Sequence, residues 1–221
     1  MGRPPRSRLQ TDERRAQLLD MGVSLFSQRP YDEVSIDEIA AAAGISRGLL
    51  YHYFGGKRSF YLGCIKIASA QLLDALSPDP ALSGPVRAVA SLNAYLDWVS
   101  AHSGGYLALM RGGIDGEVAE IMEQTRAALV ERIIDGMALT PPGPHPAFAL
   151  AARAWLGAVE AAAASWLTDQ SLSRDALVSL LMVNLVGSLS GAAVLEPGAG
   201  FTFDPGLRAI LDQALAASTP H

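Results

Sequence analysis

Residues 34–57 read VSIDEIAAAAGISRGLLYHYFGGK, two short amphipathic runs on either side of a glycine. Ser35 followed three residues later by Glu38 is a capping box, each side chain satisfying a backbone amide of the other's residue, so a helix starts there. Ile36, Ile39, Ala40 and Ala43 then fall at i, i+3, i+4 and i+7, the buried stripe of that helix. Gly44 stops it, because glycine adopts the left-handed conformation of a helix C-cap without steric cost. Ile45 turns back toward the core, and Ser46 caps the next helix.

In the second helix Leu50 and Phe54, four residues apart, face inward. Arg47, Gly48, Tyr51 and His52 occupy other faces and are left for a partner. A helix of this kind enters the DNA major groove by its N-terminal residues. That would set Arg47 and Gly48 near base edges and leave Tyr51, Tyr53 and Lys57 to hold phosphates. A helix pair with a glycine turn is by itself more often plain core packing. The two tyrosines with a downstream lysine shift the balance toward nucleic acid.

The segment resembles the DNA-binding domain of TetR-family transcriptional repressors, whose signature is an A-x-x-A-G turn, a short helix ending Y-x-(H/Y)-F, and a following lysine. Here these are Ala40 to Gly44, then Tyr51, Tyr53, Phe54 and Lys57, within a match over roughly residues 11–60. The resemblance implies that Ser35, Arg47, Gly48, Tyr51, His52, Tyr53 and Lys57 face an operator. Leu49 departs from the pattern, standing where many relatives have a hydroxyl that bonds phosphate. Gly55-Gly56 before the lysine is expected to loosen the turn.

Charge is partitioned along the chain. Residues 1–60 hold nine Lys/Arg against seven Asp/Glu and the remainder eight against fifteen, within a net charge of −5. Arg3, Arg6, Arg8, Arg14 and Arg15 precede residue 16 against only Asp12 and Glu13. Each phosphate such cations neutralise adds about 0.9 to the log–log salt slope. The GRPPR run, denied helix by its prolines, has the character of a minor-groove arm or of a solvated tail.

The 221 residues, half of them hydrophobic, suffice for a sizeable core. A lone Cys64 excludes an internal disulfide and fits a reducing cytoplasm, as a small buried residue. No metal-ligand spacing and no cofactor motif appears, and no apolar run follows the N-terminal arginines as a secretory signal would require.

Nearly every stretch has helical period. Helices are expected over 12–28, 59–76, 86–101, about 106–111, 117–137, 147–167, 173–195 and 205–217. SPDPALSGP at 77–85 and TPPGPHP at 140–146 are the strong breakers, and Ser103-Gly104-Gly105 with Gly112-Gly113 mark a shorter, broken segment. The fold class is all-α: a three-helix helix-turn-helix domain, residues 1–58, fused to a helical bundle for ligand binding and dimerisation, residues 59–221.

The run 177–195 approaches membrane-spanning length, but Ser179, Asn184, Ser188 and Ser190 interrupt it. A soluble helix so apolar must be covered on most sides. Helices 147–167 and 173–195, with small residues at Ala161, Ala162, Ala164, Gly187 and Gly191, are therefore expected to form a homodimer interface, as the resemblance also implies. Two recognition helices about 34–36 Å apart then read both halves of a near-palindromic operator.

A small-molecule effector is expected in the bundle. Trp98, His102, Tyr106, Met110, Arg111 and Trp155 offer an apolar wall with polar handles, although aromatics at helical spacing are core more often than pocket. Phe148 and Trp166 extend that wall. Arg111 could meet a carboxylate or pair with Glu117, while Glu160 and Asn184 could bond across the dimer. An enzyme is the rival reading, disfavoured because no phosphate loop occurs and residues 187–191 read GSLSG rather than G-x-S-x-G. A helical sensor that binds no DNA is the other.

Overall fold

The computed structural model describes residues 6–77, 79, 81–111, 116–137, 139–141, 143, 145–202 and 206, with side chains from residue 12 onward. Among the described residues all regular structure is helical: α1 (Arg6–Gln28), α2 (Ile36–Ala42), α3 (Arg47–Phe54), α4 (Lys57–Ala75), α5 (Gly84–Ala101), α6 (Ser103–Arg111), α7 (Gly116–Asp135), α8 (Pro146–Thr168) and α9 (Arg174–Leu195). Two short 3₁₀ turns accompany them, Tyr31–Glu33 and Pro197–Ala199. Helix α1 begins at Arg6, so Arg6 and Arg8 open it rather than extending an arm. Arg3 and, Gly206 apart, the helix expected over 205–217 lie outside the described residues.

The chain packs into two compact units made of non-contiguous stretches, residues 1–72 with 99–122, and residues 73–98 with 123–221. The first unit reaches past residue 58, where the helix-turn-helix domain is expected to end. The reason is that α4 packs along its length: Phe60 and Cys64 sit in one core with Leu18, Leu19, Phe26, Leu50 and Phe54. The rings of Phe54 and Phe60 meet edge-on at 4.8 Å, as do those of Phe26 and Tyr61, an arrangement that adds about 0.5–1.5 kcal/mol per pair beyond area burial.

Helix α6 joins the first unit through two glycines that do not act as breakers. The chain breaks instead at His102, and Gly104 and Gly105 form the first turn of α6 against the end of α1. A Cβ on Gly104 would lie 2.4 Å from the Gln28 carbonyl oxygen, and one on Gly105 2.2 Å from that of Phe26. Only hydrogen fits there. Gly112-Gly113 lie outside the described residues.

In the second unit α8 and α9, joined by residues 169–173, pack against each other along much of their length. Both are long and apolar enough, by length and composition, to cross a membrane. Each nevertheless has an amphipathic logic. Phe148, Ala152, Trp155, Leu156, Val159 and Ala163 are buried on α8, and Leu181, Met182, Leu185 and Leu189 on α9. The Trp155 indole donates to the Leu181 carbonyl at 2.7 Å. Glu160 accepts from Arg126 of α7 at 2.9 Å. Arg174 donates to the Asp97 carboxylate at 2.6 Å and to the Asn93 side chain at 3.0 Å, tying α9 to α5.

Candidate nucleic-acid interface

Two caps fix where the short helices begin. The Ser35 hydroxyl accepts from the Glu38 amide at 3.1 Å while the Glu38 carboxylate accepts from the Ser35 amide at 2.7 Å, the complete capping box. That amide, helped by the Arg29 guanidinium at 2.9 Å, lowers the Glu38 carboxyl to about 2. Gly44 follows at φ 63°, and the Ile45 amide donates back to Ala40 at 3.0 Å. Ser46 then caps α3, its hydroxyl accepting from the Leu49 amide at 3.2 Å.

Gly55 ends α3 at φ 74°, its amide donating to Tyr51 at 2.7 Å. It closes the helix in the left-handed conformation rather than loosening the turn. The next helix starts at once, with Gly56 accepting from the Phe60 amide at 3.1 Å.

Helix α3 is thus pinned at both ends and presents one side. Leu50 is fully buried and Phe54 nearly so, whereas Arg47, Gly48, Leu49, Tyr51 and His52 are exposed. Arg47 lies with its guanidinium 5.7 Å from the Tyr51 ring centre and 3.5 Å from the Asp37 carboxylate. Tyr51 first, and Asp37 after it, raise its pKa further above the ordinary arginine value. His52 and the half-buried Tyr53 meet edge-on at 5.9 Å. Lys57 places its ammonium 3.9 Å above the Tyr31 ring, and Ser35 is exposed at the start of α2.

Arg15 lies over the Phe54 ring at 5.1 Å, and Arg14 donates to the Ala43 carbonyl at 3.3 Å, so both arginines are anchored beside the helix pair. Sequence reasoning missed Asp37 beside Arg47 and Tyr31 beneath Lys57. Both contacts join different elements, and no periodicity within one helix reports them.

The effector residues expected from sequence separate. Trp155 lines a cavity of about 860 Å³ in the second unit, between α5, α7, α8 and α9. Trp98, half-buried on α5, is not among the described residues lining it. His102, Tyr106, Met110 and Arg111 belong to the first unit, since the docking of α6 against α1 carries that stretch away. Tyr106 is buried there. Glu117 pairs with Arg58 at 2.9 Å. Two lining residues absent from the expected set, Arg87 and Arg132, sit on the helices expected over 86–101 and 117–137.

Capped helix, left-handed glycine, capped second helix with a polar outer side: these define a helix-turn-helix protein. Residues 18–64 match the family described as bacterial regulatory proteins, tetR family, and residues 86–187 the tetracyclin repressor-like C-terminal domain. A tetR-family transcriptional regulator of known crystal structure from Streptomyces coelicolor is 33% identical, over 93% of this chain and 89% of its own, with a TM-score of 0.76. The chain belongs to the TetR family of transcriptional regulators.

Among curated relatives, the transcriptional activator FasR of Mycolicibacterium smegmatis is 32% identical over 102 residues, 45% of this chain and 47% of FasR. The negative regulator IcaR of the Staphylococcus aureus biofilm operon is 35% identical over 49 residues, 22% of this chain and 26% of IcaR. The chain spans about half the length, or less, of these curated relatives.

Proposed function

We propose that this chain is a cytoplasmic, homodimeric repressor that binds a near-palindromic DNA operator and is released from it by a small, largely apolar effector. One observation carries the DNA reading: the outer side of α3, from Arg47 to His52, is exposed while Leu50 and Phe54 are buried. Arg47 and Gly48 face base edges. Tyr51, Tyr53 and Lys57 hold phosphates, His52 lies beside them, and Ser35 meets the backbone at the start of α2. No catalytic residue and no cofactor enter this reading.

The dimer is proposed to form through α8 and α9. Leu150, Ala154, Gly157 and Ala161 recur at i, i+4, i+7 and i+11 on α8, all exposed. Leu180, Asn184, Gly187, Gly191 and Val194 recur similarly on α9 and are also exposed. Such a stripe, with small residues that admit close approach, fits a second copy of itself by two-fold symmetry.

Effector control is read as a population shift, in which a ligand favouring another spacing of the two heads lowers operator affinity. A near-complete switch requires about 5.5 kcal/mol of differential affinity, a few-fold response far less. Helix α4, which like α5 and α7 supplies residues to both units, is proposed as the lever for that coupling. The test is fluorescence anisotropy against DNA upstream of the chain's own reading frame, with and without candidate metabolites. Saturable, salt-sensitive binding at one site is expected, and equal affinity for that DNA and for scrambled duplex would defeat the proposal.

A further inference from the structure

The cavity of the second unit is polar at one end and apolar at the other. Along α5 its lining runs from Arg87 through Ser91 to Leu92 and Tyr95, a rise of about 12 Å at 1.5 Å per residue. Arg87 donates to the Gly136 carbonyl at 3.5 Å, which brings the start of α5 to the end of α7. Arg132, also lining the cavity on α7, donates to the Ser77 hydroxyl at 3.1 Å and to the Leu73 carbonyl. Both guanidinium groups therefore belong to the same end. Trp155, Leu156, Val159, Leu185 and Leu189 line the rest from α8 and α9.

Among the described arginines of the second unit, pairing sets these two apart: Arg126, Arg153 and Arg174 each lie within ion-pair distance of a carboxylate. Among the described residues Arg87 and Arg132 have no such partner, and Asp135, which shares their end of the cavity, is within ion-pair distance of neither. Arg87 spends one long hydrogen bond from a group with five N–H donors. An apolar chamber whose guanidinium groups have carbonyl and hydroxyl partners but are not ion-paired, even with Asp135 at the same end, is matched to a ligand that brings its own anion.

We infer that the cavity takes a single-chain amphiphile with an anionic head group, the head against Arg87 and Arg132 and the chain among Trp155, Leu156, Val159, Leu185 and Leu189. This deepens the effector reading above and rests on it only for its regulatory meaning. Selectivity comes from the head group and affinity from the chain. Each methylene buried adds about fourfold in affinity until the chain fills the space.

The experiment is isothermal titration of the full-length protein, without DNA, below micellar concentrations. Four ten-carbon probes are used: decanoate, decyl phosphate, decanol and decyltrimethylammonium. At least one anion is expected to bind tenfold or more tightly than decanol, with the cation weakest, and the two anions together tell a carboxylate site from a phosphate site. Arg87→Gln should erase the preference for anion over alcohol, whereas Arg87→Lys should keep most of it. Circular dichroism of both variants verifies folding. Equal binding of anion and alcohol, an undiminished preference in a folded Arg87→Gln, or no binding by any probe overturns the assignment. If decanoate binds yet leaves operator affinity unchanged, the regulatory reading fails and the site stands. If another molecule releases the operator while no anionic probe binds, the reverse holds.

Discussion

Lys57, proposed above to hold a phosphate, lies against an aromatic ring. Its ammonium lies 3.9 Å above Tyr31, an attraction of about 0.5–1 kcal/mol, which holds the charge at the start of α4, where the proposed phosphate contact needs it. Lys57→Ala is expected to weaken binding to every sequence alike and to flatten the salt slope by about one unit. Anisotropy titrations across a salt series measure this, and an unchanged slope removes Lys57 from the phosphate contacts. Glu38 carries a second expectation. Its carboxyl is lowered from 4.5 to about 2 by the Ser35 amide and Arg29, so the folded state binds that proton less readily than the unfolded chain. The resulting stabilisation is complete above pH 4.5 and disappears as pH falls through about 2. Glu38→Gln keeps an acceptor for the capping box and lacks the charge. Wild type should be the more stable above this window and the two should converge below it, as followed by urea melts at several pH values. The Ser35–Glu38 box was legible in the sequence because it is local, three residues apart. The Arg29 contribution was not, since it crosses a turn from another helix.

At the scale of helices, sequence yields faces and ends more readily than crossings. The stripes of α2 and α3, the stop at Gly44 and the cap at Ser46 follow from spacing and side-chain chemistry, and all are present. Gly104 and Gly105 look like breakers in one dimension because a pair of glycines costs a helix about 2 kcal/mol in propensity. Their reason is visible only once Phe26 and Gln28 of α1 arrive from some 80 residues away. Gly104→Ala thus runs opposite to propensity. Alone in a helix it would gain about 1 kcal/mol, but its Cβ would stand 2.4 Å from a backbone oxygen that has no rotamer to change. A net loss of about 1–3 kcal/mol is expected, the usual cost of overpacking, read as a lower urea midpoint with an unchanged slope. A midpoint that rises would mean that α1 and α6 do not cross so closely. The effector residues expected on α6 do not line the cavity for the same reason: this crossing assigns Tyr106 and its neighbours to the first unit.

For the whole molecule, the surface to test is the exposed stripe of α8 and α9 proposed above as the dimer interface. Leu180 is 55% exposed, Leu150 69% and Val194 79%, on helices whose other sides are tightly packed. Full burial of a leucine is worth about 1.5–3 kcal/mol, and a two-fold interface counts each such residue twice. In the proposed interface, Leu180→Glu replaces that gain with two buried carboxylates, one from each copy. It is expected to turn the protein monomeric at micromolar concentration in sedimentation velocity, while its thermal unfolding stays cooperative. Operator affinity should fall at least a hundredfold, since each head then binds its half-site alone. Gly187→Ala separates folding from association. In the single chain a Cβ there meets nothing within 4 Å, so the helix gains about 1 kcal/mol in propensity and the chain is not strained. If a partner's helix lies against this position, the same methyl group must force the two copies apart, and the dimer weakens although each chain is sturdier. A variant both more stable and more tightly dimeric would place the interface on another surface, and the spacing of the two recognition helices would then have to be set from there.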